Sequence, residues 1–220
     1  MTAPATTPGR RSRWQIAGRL ARRAVRMEIG GYQAIYRFLF RRPRVPAGAA
    51  GFSYHAPVLA VTIAFIVVSA VELVVVDLLV SRWPAVRIPL LVLGVWGLVW
   101  MFGLLFGMLT RPHAVGPDGI RVRSGTEVDI PLAWDEIATV THRKRIAPDG
   151  EPQVAVDPAG HATLHMRMQE QTNIEVVLDR PAPVRLPTGT EVVHRIALYA
   201  DDPQGFLAEV RRWATDDPGT

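Results

Sequence analysis

Two long apolar runs separated by a short polar turn constrain the fold of this chain more than any other feature. The first run covers residues 57–80 and the second covers residues 88–110. At about 1.5 Å rise per residue, each is long enough as a helix to cross a hydrocarbon core of about 30 Å. The linker at 81–87 is too short to hold a domain. The sequence therefore predicts a transmembrane α-helical hairpin over 57–110, with both flanks on one side of the bilayer.

Charge divides the 220-residue chain into three parts. Residues 1–56 form a basic arm with eleven arginines and one acid, Glu28, whereas the hairpin is neutral. Residues 111–220 hold twelve basic and seventeen acidic side chains. The high isoelectric point thus belongs to the arm and not to the C-terminal domain. The net charge of the whole chain is therefore no reason to expect a nucleic-acid partner. Salt-sensitive DNA binding by the arm alone is a third hypothesis, behind the two given below.

The arginines near the membrane ends predict the orientation of the hairpin. Arginines are retained on the cytoplasmic side, and the count is made within about twenty residues of a span. The arm contributes Arg37, Arg41, Arg42 and Arg44 before the first run, whereas the turn contains only Arg82 and Arg87. We expect a two-span protein of a bacterial plasma membrane, with both termini cytoplasmic and the turn outside.

Residues 14–40 fit an amphipathic helix. Its apolar side chains fall mostly on one face at about 100° per residue. The opposite face carries Arg19, Arg22, Arg23, Arg26, Arg37 and Arg41. Such a helix is expected on an anionic inner leaflet, where each arginine contributes about 1 kcal/mol. The alternative is a helix packed on this protein's own domain or on a partner. Residues 43–51 are predicted to form a hinge into the first span.

Polar and small residues inside the hairpin suggest further roles. Glu72 lies just past the middle of the first run and Asp77 nearer its outer end. Intramembrane carboxylates are costly, so one hypothesis is a protonatable site for ion coupling. The favoured alternative is a protonated Glu72 that is hydrogen-bonded within the hairpin or across an oligomer. Gly103 and Gly107 form a G-x-x-x-G pattern, which allows close helix packing on the first span or in a dimer.

The pattern after residue 110 changes to the period of two that is typical of strands. Alternating apolar residues occur at 120–122, 128–130, 164–168, 174–178 and 192–198, and a proline-rich stretch at 180–187 is expected to separate the last two strands. Asp202 with Pro203 begins a final helix, whose apolar face holds Phe206, Leu207, Val210 and Trp213. The expected fold class is therefore an α-helical membrane hairpin followed by an α+β domain over 111–220. That domain is an antiparallel β-barrel or sandwich of six or seven strands, closed by a C-terminal helix.

Three segments carry a resemblance to the bacterial pleckstrin-homology-like domain. They are Gly116-Pro117-Asp118-Gly119-Ile120-Arg121-Val122, the stretch Ile130-Pro131-Leu132-Ala133-Trp134-Asp135-Glu136-Ile137-Ala138-Thr139-Val140, and Asp202-Pro203-Gln204-Gly205-Phe206-Leu207. Members of this family commonly couple the domain to one or two spans. The resemblance implies a recognition module rather than an enzyme, and it implies no cofactor.

Candidate binding residues in the domain form one basic cluster, Arg143, Lys144 and Arg145. It suits lipid phosphates or an acidic partner, although an ordinary solvated strand end has the same composition. No catalytic residues are assigned. His161 and His165 share strand parity, but no third ligand has convincing spacing, so no metal site is expected. The chain has no cysteine, which excludes disulfides and thiolate ligands.

These observations predict a membrane-anchored binding or scaffold protein that presents its domain at the inner leaflet. Its expected partners are an anionic lipid surface and a protein, either a different one or a second copy of this chain. The alternative, from another functional class, is a small transport or ion-coupled subunit that uses Glu72.

Overall fold

The computed structural model describes residues 13–40, 45–125, 127–147 and 151–215. Its helices are α1 (Arg13–Leu39), α2 (Ala56–Leu79), α3 (Pro84–Leu109) and α4 (Pro203–Thr215). Its strands are β1 (Ala50–Phe52), β2 (His113–Gly116), β3 (Gly119–Ser124), β4 (Val128–Leu132), β5 (Ile137–Ile146), β6 (Val154–Val156), β7 (Ala162–Met166), β8 (Gln171–Leu186) and β9 (Gly189–Leu198). A short 3₁₀ helix, Trp134–Glu136, joins β4 to β5.

The two predicted apolar helices, α2 and α3, are confirmed. Both are long and apolar enough to cross a bilayer, with mean hydropathies of 2.7 and 2.2 in their most apolar windows. Only 6% and 11% of those windows are buried inside the protein, which is unlike the core helix of a soluble domain. Helix α3 begins at Pro84, four residues before the predicted start, because proline suits the first helical turn.

The hairpin of α2 and α3 is inserted between the first two strands of a sheet. Strand β1 precedes α2, β2 follows α3, and the two pair antiparallel with Phe52 opposite His113. The pairing holds both flanks of the hairpin at one end, as predicted. It also changes the expected domain boundary: Ala50 and Gly51, expected in the hinge at 43–51, lie in β1. Residues 43 and 44 of that hinge are outside the described residues.

Nine strands form two open sheets within the described residues. The first has the order β1-β2-β3-β4 and is antiparallel throughout. The second has the order β5-β8-β9-β7-β6, in which β7 and β9 are parallel. The predicted α+β layout is confirmed at this level. The described strands do not close into a barrel. Strands β4 and β5, which the 3₁₀ helix joins, are edge strands of two different sheets.

Strand β8 corrects a second expectation. The proline-rich stretch at 180–187 was expected to separate two strands, yet β8 continues through it to Leu186. A register shift between Val177 and Ala182 accommodates Pro181, and the strand then pairs with β9 from Ala182 to Leu186. Val184 and Leu186 are buried while their neighbours are exposed. This alternation shows that side-chain burial holds a segment as a strand despite its prolines.

One hydrophobic core lies between the two sheets and under α4. It includes Ile120 and Val122 of the first sheet and Ile174 and Ile196 of the second. Helix α4 adds the predicted apolar face, with Phe206 fully buried and Val210 nearly so. Asp202 caps this helix as predicted, since the backbone N–H of Gly205 donates to its Oδ1 at 2.9 Å. Burial of a side chain such as Phe206 contributes about 1.5–3 kcal/mol.

Gly119 at the start of β3 gives the first testable prediction. Its φ of +119° is strained for any other residue, and an added Cβ would overlap the Leu132 carbonyl oxygen. We expect Gly119→Ala to lower the free energy of unfolding by about 3 kcal/mol. Gly160→Ala is the matched control, because φ there is +83° but no atom lies within 4 Å. Denaturant titration of both variants measures the difference, and equal losses would contradict a steric requirement at Gly119.

Candidate membrane junction and binding surface

The C-terminal domain binds the start of α2 through Asp201. Both carboxylate oxygens of Asp201 accept from the backbone N–H of Ala56, at 3.1 and 3.3 Å. The backbone N–H of Asp201 donates in turn to the carbonyl oxygen of Ser53 at 2.8 Å. Since His55, the residue before α2, provides no side-chain cap, Asp201 supplies the negative charge that the positive end of a helix favours. The adjacent Asp201 and Asp202 thus serve different helices, Asp201 the start of α2 and Asp202 the start of α4.

A buried histidine forms the second part of this junction. Nδ1 of His113 accepts from the backbone N–H of Arg123 at 3.0 Å, so its Nε2 carries the proton and donates to the Tyr199 carbonyl oxygen at 3.1 Å. Burial lowers the pKa of His113 from 6.5 to about 4. The imidazole is therefore neutral at physiological pH. It connects β2 to β3 and to the segment between β9 and α4.

Tyr54 extends the junction from the segment between β1 and α2. Its ring lies 4.8 Å from that of His113, and its hydroxyl accepts from the backbone N–H of Gly125 at 2.9 Å. Burial raises the pKa of Tyr54, so the phenol stays neutral. Together with Asp201 and His113, Tyr54 connects the domain to the base of the hairpin.

Helix α1 packs on α3, whereas the alternative to a surface helix was packing on the C-terminal domain or on a partner. Gly31 and Gly103 are in close contact, and an added Cβ on Gly103 would lie 3.0 Å from the Gly31 Cα. The rings of Phe38 and Phe106 stack with centroids 4.1 Å apart. Gly103 and Gly107 are buried, and Gly103 of the G-x-x-x-G pattern packs against α1.

Glu28 joins this helix interface, and the sequence did not identify it as a site. Nε1 of Trp96 donates to Glu28 Oε1 at 2.9 Å, and the Tyr32 hydroxyl donates to the same oxygen at 3.3 Å. A small cavity between α1 and α3 is lined by these side chains together with Gly31 and Trp100. The sequence feature that could have identified Glu28 is that it is the single acidic residue in an arm with eleven arginines.

The predicted basic face of α1 is only partly described. Arg37 is half-buried near the end of the helix. Arg19, Arg22, Arg23 and Arg26 lie in the N-terminal part of α1, where the structure does not describe their side chains, and Arg41 lies outside the described residues. The predicted contact of these arginines with lipid stays a prediction.

The two carboxylates of α2 have different environments. Asp77 accepts two hydrogen bonds from Arg87, at 2.7 and 2.8 Å, and its charge is thereby neutralised. Arg87, which was expected in the turn, belongs to α3. Glu72 is exposed on the outside of α2 and has no hydrogen bond or ion pair to the residues that the structure describes. Of the two predicted partners for Glu72, the one within the hairpin is therefore wrong, and the one across an oligomer stays a prediction.

The basic cluster on β5 is largely paired with carboxylates. Arg143 forms an ion pair with Glu175 at 3.0 Å, and Arg145 forms one with Glu151 at 2.6 Å. Lys144 is exposed and, among the described residues, has no ion pair. The cluster therefore offers an incoming phosphate less positive charge than three adjacent bases suggest.

The two histidines of the metal hypothesis lie in different surroundings. His161 stacks edge-on against His194 with ring centroids 4.9 Å apart, whereas Nε2 of His165 lies 2.9 Å from Nη1 of Arg145. Burial and the neighbouring Arg145 lower the pKa of His165. In the part of the chain that the structure describes, no group of three histidine or carboxylate side chains is arranged to hold a metal ion.

Comparison of the chain with known proteins found no matching family, no matching curated protein and no matching solved structure.

The buried His113 predicts a specific pH dependence of stability. Because its folded pKa of about 4 lies below the unfolded value of 6.5, the unfolded chain binds more protons between these values. Stability is complete above pH 6.5 and falls by up to about 3 kcal/mol as the pH drops to 4. His113→Gln should remove this component, as measured by denaturant titration at pH 7 and pH 4.5.

The exposed His142 provides the control for that experiment. His142→Gln should keep the pH profile of the unaltered protein. If His113→Gln also keeps it, the titration responsible lies elsewhere in the protein.

The contact of Gly31 with Gly103 predicts that a side chain at position 103 separates α1 from α3. Gly103→Leu should destabilise this packing by about 1–3 kcal/mol. Gly97→Leu on the same helix is the matched control, because an added Cβ there meets no atom within 4 Å. The readout is crosslinking between cysteines introduced at Phe38 and Phe106, which is free of background because the chain has no cysteine. Equal yields in both variants would refute close packing at Gly103.

Proposed function

We propose that this protein is a two-span membrane anchor that presents a binding or scaffolding domain at the cytoplasmic face of a bacterial plasma membrane. The observation that carries the proposal is the insertion of the exposed apolar hairpin between the paired strands β1 and β2. The bond from Ala56 to Asp201 adds a second attachment at the same end. A domain attached in this way stays next to the bilayer surface instead of moving on a flexible tether.

The charge of the arm supports the cytoplasmic orientation. Eleven arginines precede the hairpin, while its outer turn has few positive charges, and Arg87 beside that turn is neutralised by Asp77. Anionic inner leaflets attract such arms, whereas the acidic domain has no such attraction as a whole. Since residues 28–38 of α1 pack on α3, the arginines that precede them are the proposed lipid contact, and the acidic domain is the part available to a partner.

The pleckstrin-homology-like identity of the domain is part of the proposal. Two facing sheets, one core between them and a closing α4 support it. The parallel pairing of β7 with β9 and the open sheets are departures from the expected barrel. Domains of this kind recognise ligands and carry out no chemistry, which agrees with the assignment of no catalytic residue.

The ion pairs on β5 favour a protein partner over a lipid phosphate for this domain. Two of the three clustered bases already contact carboxylates, and each such exposed pair contributes at most about 1 kcal/mol. An acidic protein segment can replace these carboxylates as the ion-pair partner of the arginines. It can do so along the whole strand, because β5 is an edge strand of its sheet. Of the three bases in this cluster, only Lys144 has no ion pair among the described residues and is available to a single phosphate.

The second candidate function, an ion-coupled subunit that uses Glu72, has weaker support. Ion sites inside membranes face a bundle interior or a water-filled cavity. Glu72 instead lies on the outer face of α2, and the cavity beside α3 is lined by Glu28. The membrane position of Glu72 remains the one observation in favour of this function.

Site-directed labelling tests the proposed anchor and its orientation. Single cysteines replace Arg82 in the turn and Thr188 in the turn between β8 and β9, and both positions are exposed. A membrane-impermeant maleimide added to intact cells should label position 82 only, and position 188 should react after permeabilisation. The reverse pattern would refute the orientation. Labelling at position 188 in protein that remains in the soluble fraction would refute the anchor itself.

A further inference from the structure

We propose that α2 associates with α2 of a second copy of this chain, through a seam centred on Glu72. The seam consists of Val61, Phe65, Val68, Glu72, Val75 and Leu79, all of which are exposed. This inference rests on the proposed insertion of the hairpin into a bilayer, and it adds the interface and the partner.

The spacing of the seam is the first observation. Its members follow each other at intervals of four, three, four, three and four residues. At about 100° per residue they fall within an arc of about 80° on α2. Alternating intervals of three and four are those of a helix that packs against another helix in a left-handed coiled coil. The contacts of α2 with α3 use a different face, which includes Ile66, Leu73 and Asp77.

The position of Glu72 is the second observation. Leu73 contacts Gly94, and the adjacent Glu72 is therefore at the depth of the middle of α3. A polar side chain at that depth costs several kcal/mol unless it is hydrogen-bonded. Among the described residues none provides that bond. A group on another molecule at the same depth can provide it.

A second copy meets this requirement by symmetry. The proposed topology gives every copy the same orientation in the membrane, so the twofold axis of a dimer runs along the membrane normal. Such an axis places each residue of the seam opposite itself and at equal depth. Two carboxyl groups in the acid form then donate to and accept from each other, whereas two ionised groups would repel. Glu72 thus sets the register of the pair, as single polar residues do in coiled coils.

Cysteine crosslinking in membranes tests this surface. Single cysteines at Phe65, Val68 and Val75 of the seam should give covalent dimers. Matched controls at Ile63, Val67 and Val74 are exposed on the other side of α2 and should give few. Similar yields at both sets would overturn the proposal, and so would crosslinks only to a protein of another size.

Variants of Glu72 test the polar contact itself. Glu72→Gln keeps a donor and an acceptor, so the yield at Val68→Cys should be retained. Glu72→Leu keeps the apolar face but removes the hydrogen bond, so the association constant should fall about threefold or more. An unchanged yield in Glu72→Leu would overturn the role of Glu72.

The same cysteine variants separate failure of this inference from failure of the proposed anchor. In an inserted hairpin, cysteines at Ile63 and Val67 are shielded from a water-soluble maleimide. Shielding without crosslinks at the seam overturns the self-association alone. Labelling at these positions shows that α2 is not in the bilayer, which overturns the proposed anchor together with the interface that depends on it.

Discussion

The antiparallel pairing of β1 with β2 is the interaction on which the rest of this structure depends. It joins a strand that precedes the apolar hairpin to a strand that follows it, and so brings both ends of the hairpin into one sheet. Every other contact at the junction uses the geometry that this pairing creates. Asp201 reaches the first turn of α2, and His113 connects β2 to the segment before α4. The hairpin is thus a part of the domain fold and not an appendage.

Helix α3 is the centre of the helical part, because different faces of it contact α1 and α2. Glycines allow both approaches: Gly103 meets Gly31 of α1, and Gly94 meets Leu73 of α2. Polar contacts add specificity, from Trp96 to Glu28 on one side and from Arg87 to Asp77 on the other. Together with the glycine contacts, these polar contacts favour one arrangement of the three helices. Glu72 has no such contact within the described part of the chain, which is the basis of its proposed contact with a second copy.

Local patterns in the sequence predicted the elements well where burial repeats with a regular period. The apolar runs, the alternation around Ile120 and Ile174, and the cap at Asp202 all correspond to observed elements. The prediction failed where a distant contact overrides local composition. Proline-rich residues 180–186 form a strand because β9 and the core hold Val184 and Leu186, and Ala50–Phe52 forms a strand because β2 lies beside it. The ion pairs of Arg143 and Arg145 depend on Glu175 and Glu151, which are distant or unpatterned in sequence.

The sequence by itself determined the apolar hairpin, the strand-rich region that follows it, and the concentration of positive charge before it. Hydrophobicity and charge are properties of single residues summed over a segment, so they are readable without a fold. Only the tertiary structure decided that β1 joins the domain, that Gly103 packs against α1, and that Asp77 has a partner while Glu72 has none among the described residues. These results depend on contacts between residues that are far apart in the sequence. Periodicity along the chain gives the face of a helix but not the neighbour that covers it.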